Sequence, residues 1–165
     1  MNYIYDLAEE LVSKYKTRDP FELCDYLGIT YYYTDLGKLQ GVFGIVCNTP
    51  VIFVSDKIDR RAQILVCAHE LGHALLHTEI AKDQYLREFE VFNMNTKVEY
   101  QANVFAAHLL FDEDELDELF HEGRDIYSVS QMLGINVNLL NLKLALMKEA
   151  GYNYAPVWDP KISFD

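Results

Sequence analysis

The chain has 165 residues, half of them hydrophobic, with 12 tyrosines, 9 phenylalanines and a formal net charge of −12. This composition suits one folded domain with a sizeable core and excludes a disordered chain, and the apolar runs are too short to span a bilayer. The negative charge disfavours nonspecific binding to nucleic acid or to an anionic membrane. It either attracts a basic protein partner at long range or serves solubility alone.

The cysteines and the N-terminus indicate the cellular setting. Cys24, Cys47 and Cys67 are odd in number and contain no C-x-x-C pair, so we expect a reduced, cytoplasmic environment. The first fifteen residues include Asp6 and Glu9 and lack the basic-then-apolar layout of a signal peptide.

The N-terminal part predicts two helices followed by a small sheet. Apolar residues at helical spacing predict an amphipathic helix over residues 3–16. Asp19 and Pro20 indicate the N-cap and first residue of a second helix, which Gly28 ends. The β-forming segments of 29–55 predict a three-stranded antiparallel sheet, whose last two strands form a hairpin across Asn48-Thr49-Pro50.

The rest of the chain predicts helices. Two long helices are expected over residues 59–77 and 97–110. A short acidic helix is expected over 112–120, with its charges on a solvated face. A helical tail is expected over 125–150, with a break at Gly134. Residues 78–96 lack a clear period and are predicted as a loop, a short strand or a lid. With no linker or repeat in sight, we expect a single α+β domain over 1–165.

The segment CAHELGHALLH, residues 67–77, contains the motif H-E-x-x-H. Residues four apart lie on one face of a helix about 6 Å apart, so His69 and His73 can hold one metal ion. Glu70 lies about 100° around the helix, where it reaches a water rather than the metal. Two ligands and a general base on neighbouring turns predict metal-assisted hydrolysis. Zinc is the default ion for such ligands, and manganese or iron can bind the same set.

A hydrolytic zinc site needs a third protein ligand and an open fourth position. Glu99 opens the second long helix, whose small residues allow close approach to the first, so it is a candidate ligand; the alternative is a first-turn acid favoured by the helix dipole. Asn103 can accept a hydrogen bond from a ligating histidine. His77 lies at the edge of the metal-facing side and is interpreted as an outer partner or structural residue rather than a ligand.

CAHELGHALLH followed by EYQANVFAAHLL resembles the ImmA/IrrE-type metallopeptidases, proteases of bacteria and their phages or integrative elements. The likeness covers roughly residues 3–120. It implies a zincin-like fold with His69, His73 and Glu99 as metal ligands and Glu70 as catalytic base. It also implies the substrate class: helix-turn-helix repressors, cut to release transcription. The chain departs from the family at LLFD, residues 109–112, where many members have Met-Pro, and it carries no N-terminal helix-turn-helix, so the repressor would be a separate protein.

Two other functions stay open at this point. A non-catalytic regulator would use the metal to hold the fold, in a site closed by His77 as fourth ligand, and would relieve repression by protein binding alone. The helical tail around Gly134 resembles a helix-turn-helix, but its second helix is mostly leucine, with Asn138, Asn141 and Lys143. Since DNA recognition needs basic and amide groups along that helix, we interpret the tail as a packing unit or a docking surface.

Overall fold

The computed structural model describes residues 2–81, 86–88, 96–154 and 157. Two compact units, Met1–Leu110 and Phe111–Asp165, divide the chain, and the single domain expected over 1–165 stays a prediction. The first unit contains α1 (Asn2–Tyr15), α2 (Pro20–Leu27), β1 (Thr30–Thr34), β2 (Gly41–Val46), β3 (Thr49–Ser55), α3 (Arg60–Leu76), α4 (Thr78–Ala81), β4 (Leu86–Glu88) and α5 (Lys97–Leu110). The second contains α6 (Glu113–His121), α7 (Ile126–Leu133) and α8 (Val137–Glu149).

The helix boundaries follow from capping residues that the sequence displays. The Asp19 side chain accepts a hydrogen bond from the backbone N–H of Phe21, and Gly28 ends α2 in the left-handed conformation, with φ 68°. Asp59 caps α3 in the same way through the N–H of Ala62. The helices predicted over 3–16, 59–77 and 97–110 are therefore confirmed to within one residue at each end.

The predicted α+β, zincin-like class is confirmed, but the sheet differs from the three-stranded antiparallel sheet expected. It has four strands in the order β1-β3-β2-β4. The hairpin of β2 and β3 is antiparallel, whereas β1 runs parallel to β3 on the side away from β2. The fourth strand, β4, pairs with Gly41–Phe43 of β2. It falls in the segment for which a loop, a short strand or a lid was predicted; residues 82–85 and 89–95 of that segment lie outside the described residues.

The helix α3 is the centre of the first unit. It packs against α5, α2 and the strands β2 and β3, and every residue from Leu65 to Ala74 is buried. Each fully buried leucine, such as Leu71, stabilises the fold by about 1.5–3 kcal/mol relative to exposure. The polar residues of this stretch are therefore held in an interior environment. No helix of the described chain has both the length and the apolar character needed to span a membrane.

The second unit has helices capped by Asp112, Asp125 and Asn136. As expected, Asp114, Glu115 and Glu118 of α6 are exposed, and Gly134 ends α7 with φ 65°. In α8, Asn141 and Lys143 are fully buried, and Nζ of Lys143 lies 2.7 Å from Oε1 of Glu113. Both side chains are buried rather than exposed on α8, which is consistent with the packing interpretation of the tail; that interpretation stays a prediction.

Candidate metal centre

The helix α3 brings two histidines and a glutamate into the interior on neighbouring turns. It has no internal proline to interrupt it, and its apolar residues fix its buried face. His69 and Glu70 are as buried as the surrounding leucines, and so is His73 one turn later. Because polar groups are costly to bury without partners, these three buried side chains require an arrangement of polar partners around them.

The helix α5 supplies that arrangement. Its first turn begins at Thr96, whose hydroxyl oxygen accepts a hydrogen bond from the backbone N–H of Glu99 at 3.2 Å, as an N-cap does. Further along, α5 approaches α3 closely at Gly72: a Cβ placed there would lie 3.1 Å from Cα of Ala102 and 3.2 Å from Cδ1 of Phe105. This close approach brings the Glu99 carboxylate to the two imidazoles.

Three donor atoms converge at this point. Nε2 of His69 and Nε2 of His73 lie 3.0 Å apart, and Oε2 of Glu99 lies 3.1 Å from the first and 3.4 Å from the second. Donors bound to one tetrahedral zinc ion at bonds of about 2.0–2.2 Å are separated by roughly 3.3–3.6 Å. The observed spacings agree with that value to about 0.3 Å. Two imidazoles and a carboxylate with this spacing fit a single zinc ion.

The hydrogen bonds behind the imidazoles also fit metal binding. Nδ1 of His69 lies 3.0 Å from Oδ1 of Asn103, and an amide oxygen can only accept, so the histidine donates. In a neutral ring this leaves the lone pair on Nε2, which is the atom that faces the other donors. On the far side of His73, Nδ1 lies 3.0 Å from Nδ1 of His77.

The protonation equilibria favour ligand forms at neutral pH. Burial lowers the pKa of His73 to about 4, against the opposing effect of the Glu99 carboxylate, so its imidazole is neutral. Burial also lowers the pKa of His77. For Glu99 burial raises the pKa, but the adjacent His69 and His73 side chains lower it more, and the net pKa lies well below its ordinary value. Neutral imidazoles and an ionised carboxylate are the forms that bind metals.

Within this cluster, solvent reaches the carboxylate more than the imidazoles. The Glu99 side chain is 18% exposed, whereas the side chains of His69 and His73 are 1% and 2% exposed. A ligand or substrate would therefore approach along the carboxylate. A catalytic zinc site has this character, with three protein donors and one position open to water.

Glu70 does not belong to the group of converging donors, as its position on the helix predicts. It is fully buried and faces the start of β2. A Cβ at Gly41 would overlap the Glu70 carboxylate and lie 2.5 Å from Cγ1 of Val66. The absence of a side chain at residue 41 is what makes room for the Glu70 carboxylate beside the sheet.

The structure thus brings together the residues singled out from the sequence. His69, His73 and Glu99 form the one metal-ligating group found among the described residues, and Asn103 and His77 each contact one of the imidazoles. Sequence reasoning missed Gly41 and Gly72. The glycine within H-E-x-x-H was a usable signal for a close helix contact, but nothing local marks Gly41.

Comparison with known proteins gives a family and two relatives. The model of the Peptidase_M78 family, described as the IrrE N-terminal-like domain, matches residues 24–145. The chain is 29% identical over 137 residues to "Uncharacterized immunity region protein 2" of Bacillus phage phi105, which covers 82% of this chain and 85% of that protein. It is also 29% identical over 115 residues to "Metallopeptidase ImmA" of Bacillus subtilis strain 168, covering 67% of this chain and 64% of that protein.

Proposed function

Since the chain belongs to the Peptidase_M78 family of IrrE N-terminal-like domains, we propose that it is a zinc-dependent endopeptidase whose metal is held by His69, His73 and Glu99. One observation carries this proposal: three donor atoms from two helices lie 3.0–3.4 Å apart, and the buried Glu70 directly follows His69 in the sequence. The likeness to a protein named as a metallopeptidase supports it.

The chain's own residues have separable roles in the proposed hydrolysis. A bound zinc ion supplies Lewis-acid polarisation of the peptide carbonyl and lowers the pKa of a water. Glu70 accepts a proton from the attacking water as its oxygen adds to the carbonyl carbon. Glu70 then returns that proton to the leaving nitrogen as the C–N bond breaks. Asn103 orients His69 through Nδ1, which keeps Nε2 directed at the other donors.

We propose further that the substrate is a helix-turn-helix transcriptional repressor in the cytoplasm. Support comes from the relative named as an immunity region protein of a phage and from the resemblance stated above. The net charge of −12 adds a physical reason. DNA-binding repressors carry basic surfaces, and opposite net charges increase the rate of association at low ionic strength.

The variant Glu70→Gln tests the catalytic role. The amide has the same shape as the carboxylate but cannot take the proton, so we expect zinc content to stay the same and cleavage to fall by about 10²–10⁴-fold. Zinc is measured by inductively coupled plasma mass spectrometry. Cleavage is followed by intact-mass spectrometry of helix-turn-helix repressors encoded in the same genome. Glu10→Gln, at an exposed site of α1, is the matched control.

The outcomes separate two failures. Undiminished cleavage by Glu70→Gln would remove Glu70 from the mechanism while leaving a peptidase. Absence of both bound zinc and repressor cleavage in the unaltered protein would overturn the proposed function itself.

The geometry gives no support to a closed structural metal site. Such a site needs a fourth protein donor, and the group found in the described part of the chain has three members. His77 contacts His73 through Nδ1, on the edge of the ring opposite Nε2. In this arrangement it serves as an outer partner of His73, and the non-catalytic regulator is not proposed.

A further inference from the structure

The strand β1 lies at an outer edge of the sheet and lacks the features that normally protect an edge. Among the described residues it pairs with β3, on one side only. Its sequence, Thr-Tyr-Tyr-Tyr-Thr, contains no charged residue, proline or glycine. Proteins usually block such edges with charges, prolines or bulges, because the outer N–H and C=O groups can pair with another chain. The outer side of β1 is therefore suited to receive a further strand.

The backbone groups on the outer side of β1 belong to Tyr31 and Tyr33. The backbone N–H of Asp56 donates to the C=O of Thr34 at 3.0 Å, so the backbone polar groups of Thr34 face β3. In a parallel pair every second residue bonds to the neighbouring strand, so the residues two and four before Thr34 face β3 as well. The N–H and C=O groups of Tyr31 and Tyr33 therefore point away from β3.

The side chains of β1 alternate between the two faces of the sheet. Tyr31 and Tyr33 lie on the face that carries α2, where their ring centroids are 5.0 Å and 5.6 Å from that of Phe21. Tyr32 lies on the opposite face and stacks on Phe53 of β3. Tyr32 is 54% exposed and Tyr33 is 45% exposed. The strand therefore presents aromatic side chains to solvent on both of its faces.

The sequence of β1 reads the same in both directions, and this symmetry points to a second copy of the chain as the partner strand. When two copies of β1 run antiparallel about a two-fold axis at Tyr32, their end threonines face each other and Tyr31 faces Tyr33 of the second copy. Facing residues of an antiparallel pair exchange either both of their hydrogen bonds or none. In this register the exchanging residues are Tyr31 and Tyr33, whose backbone groups point outward. The same surface serves both copies, as a two-fold interface requires.

The charges beside β1 are complementary in the same register. Burial and then the nearby Asp25 carboxylate raise the pKa of the Tyr31 phenol, which places Asp25 close to Tyr31. Nη1 of Arg60 donates to the Tyr33 hydroxyl at 2.6 Å. Since Tyr31 faces Tyr33 across the axis, Asp25 of each copy is brought toward Arg60 of the other. Both side chains are exposed, and Arg60 lies 4.0 Å from the Asp19 carboxylate of its own chain, so it can engage a second carboxylate.

We propose that the chain forms a two-fold dimer in which β1 pairs antiparallel with β1 of a second copy and Asp25 of each copy faces Arg60 of the other. The two four-stranded sheets then become one continuous sheet. The net charge of −12 opposes association at long range, but physiological salt screens charges beyond about 8 Å, so the groups at the edge decide the outcome. The inference is independent of the proposed function, because it uses neither the metal donors nor Glu70.

The test uses the complete chain at physiological salt. Sedimentation velocity over a concentration series should show reversible conversion to a species of twice the chain mass of 19.1 kDa. Amide hydrogen exchange, read by NMR, should slow with concentration at Tyr31 and Tyr33 much more than at Tyr32, whose N–H faces β3. A monomer at every concentration would overturn the inference. A monomer whose Tyr31 and Tyr33 amides become protected only when a repressor is added would also overturn it, since the edge would then receive the substrate.

Charge reversal separates this dimer from association through another surface. Asp25→Arg alone sets two arginines against each other across the axis, and Arg60→Asp alone sets two aspartates against each other. We expect each variant to dimerise at least about 10-fold more weakly than the unaltered protein. An equimolar mixture of the two variants should recover the affinity as a heterodimer, because both contacts then join opposite charges again. Unchanged dimerisation of both single variants, or a mixture that stays monomeric, would refute the proposed register.

The variant Tyr32→Lys tests the axis itself and keeps the inference testable if a charge-reversal variant does not fold. It places two like charges directly opposite each other, so we expect the dimer to weaken by about 10-fold or more. It also reduces the net negative charge, so a dimer limited only by overall repulsion would become tighter. Tyr127→Lys, at a tyrosine of α7 that is 57% exposed, is the matched control and should dimerise like the unaltered protein. Equal dimerisation of the two lysine variants would rule out pairing through β1.

Discussion

The substitution Gly41→Ala isolates the position of Glu70 from the rest of the site. Gly41 begins β2, and its φ is not in the left-handed region, so alanine is compatible with the backbone and the only obstacle is space. The added Cβ would overlap the Glu70 carboxylate, and it would lie 2.5 Å from Cγ1 of Val66 and 3.0 Å from Cγ of Glu70.

The size of the effect follows from these distances. Carbon atoms in contact prefer separations of about 3.5–4.0 Å, so the neighbours must retreat by about 1 Å. Overpacking of this kind costs about 1–3 kcal/mol of folding free energy. Misplacement of a catalytic group by 1 Å lowers the rate by about 10²-fold. Because the three atoms nearest to the new methyl group belong to Glu70 and Val66 rather than to the proposed ligands, we expect zinc binding to persist.

The measurement compares zinc-loaded Gly41→Ala with the unaltered protein in single-turnover cleavage of a repressor. Zinc stoichiometry and denaturant unfolding are measured on the same samples. Thr49→Ala, at an exposed position of the same hairpin, is the control. Full cleavage by Gly41→Ala would refute the claim that this glycine sets the position of Glu70. Joint loss of zinc and cleavage would refute the narrower claim that only the Glu70 side chain moves.

Two further predictions address the third donor and the thiols. Glu99→Gln removes the carboxylate charge from the cluster and should weaken zinc binding by more than the roughly 10- to 100-fold found for outer partners; equal affinity in a chelator competition would exclude Glu99 as a ligand. In the native protein iodoacetamide should label Cys47, which is exposed, and spare Cys24 and Cys67. Burial raises the pKa of the Cys67 thiol, and its hydrogen bond with Cys24 adds to this, so little thiolate is available to react. Peptide mass mapping checks this, and equal labelling of Cys47 and Cys67 would contradict it.

The features predictable from the sequence are those that depend on nearby residues. Asp19, Pro20 and Gly28 mark both ends of α2 because capping and positive φ are properties of single residues and their next few neighbours. The approach of His69 to His73 follows from the helical repeat alone. The contact between His73 and His77 has the same origin, since they too are four residues apart.

The features that could not be predicted depend on pairing between distant segments. The β-forming residues of β1 identify a strand but carry no information about its neighbour or direction, and β1 lies parallel to β3 rather than antiparallel. With only three residues, β4 is too short for a periodic signal and is defined by its pairing with β2. Gly41 meets Glu70 across 29 positions, and Tyr3 meets Gln101 across 98.

Gly72 shows how a local motif and a distant contact combine in one site. Within H-E-x-x-H the two histidines and the glutamate carry the chemistry, and the motif does not specify the residues at the x positions. Here one of them faces the backbone of α5: a Cβ at residue 72 would lie 3.1 Å from Cα and 3.2 Å from the carbonyl oxygen of Ala102. Backbone atoms of a helix cannot retreat as a flexible side chain can, so a larger residue would push the two helices apart. Glu99 lies one turn before Ala102 on that helix, and its Oε2 would move away from the imidazoles with it. The missing side chain at Gly72 therefore sets the distance at which the third donor can join the first two.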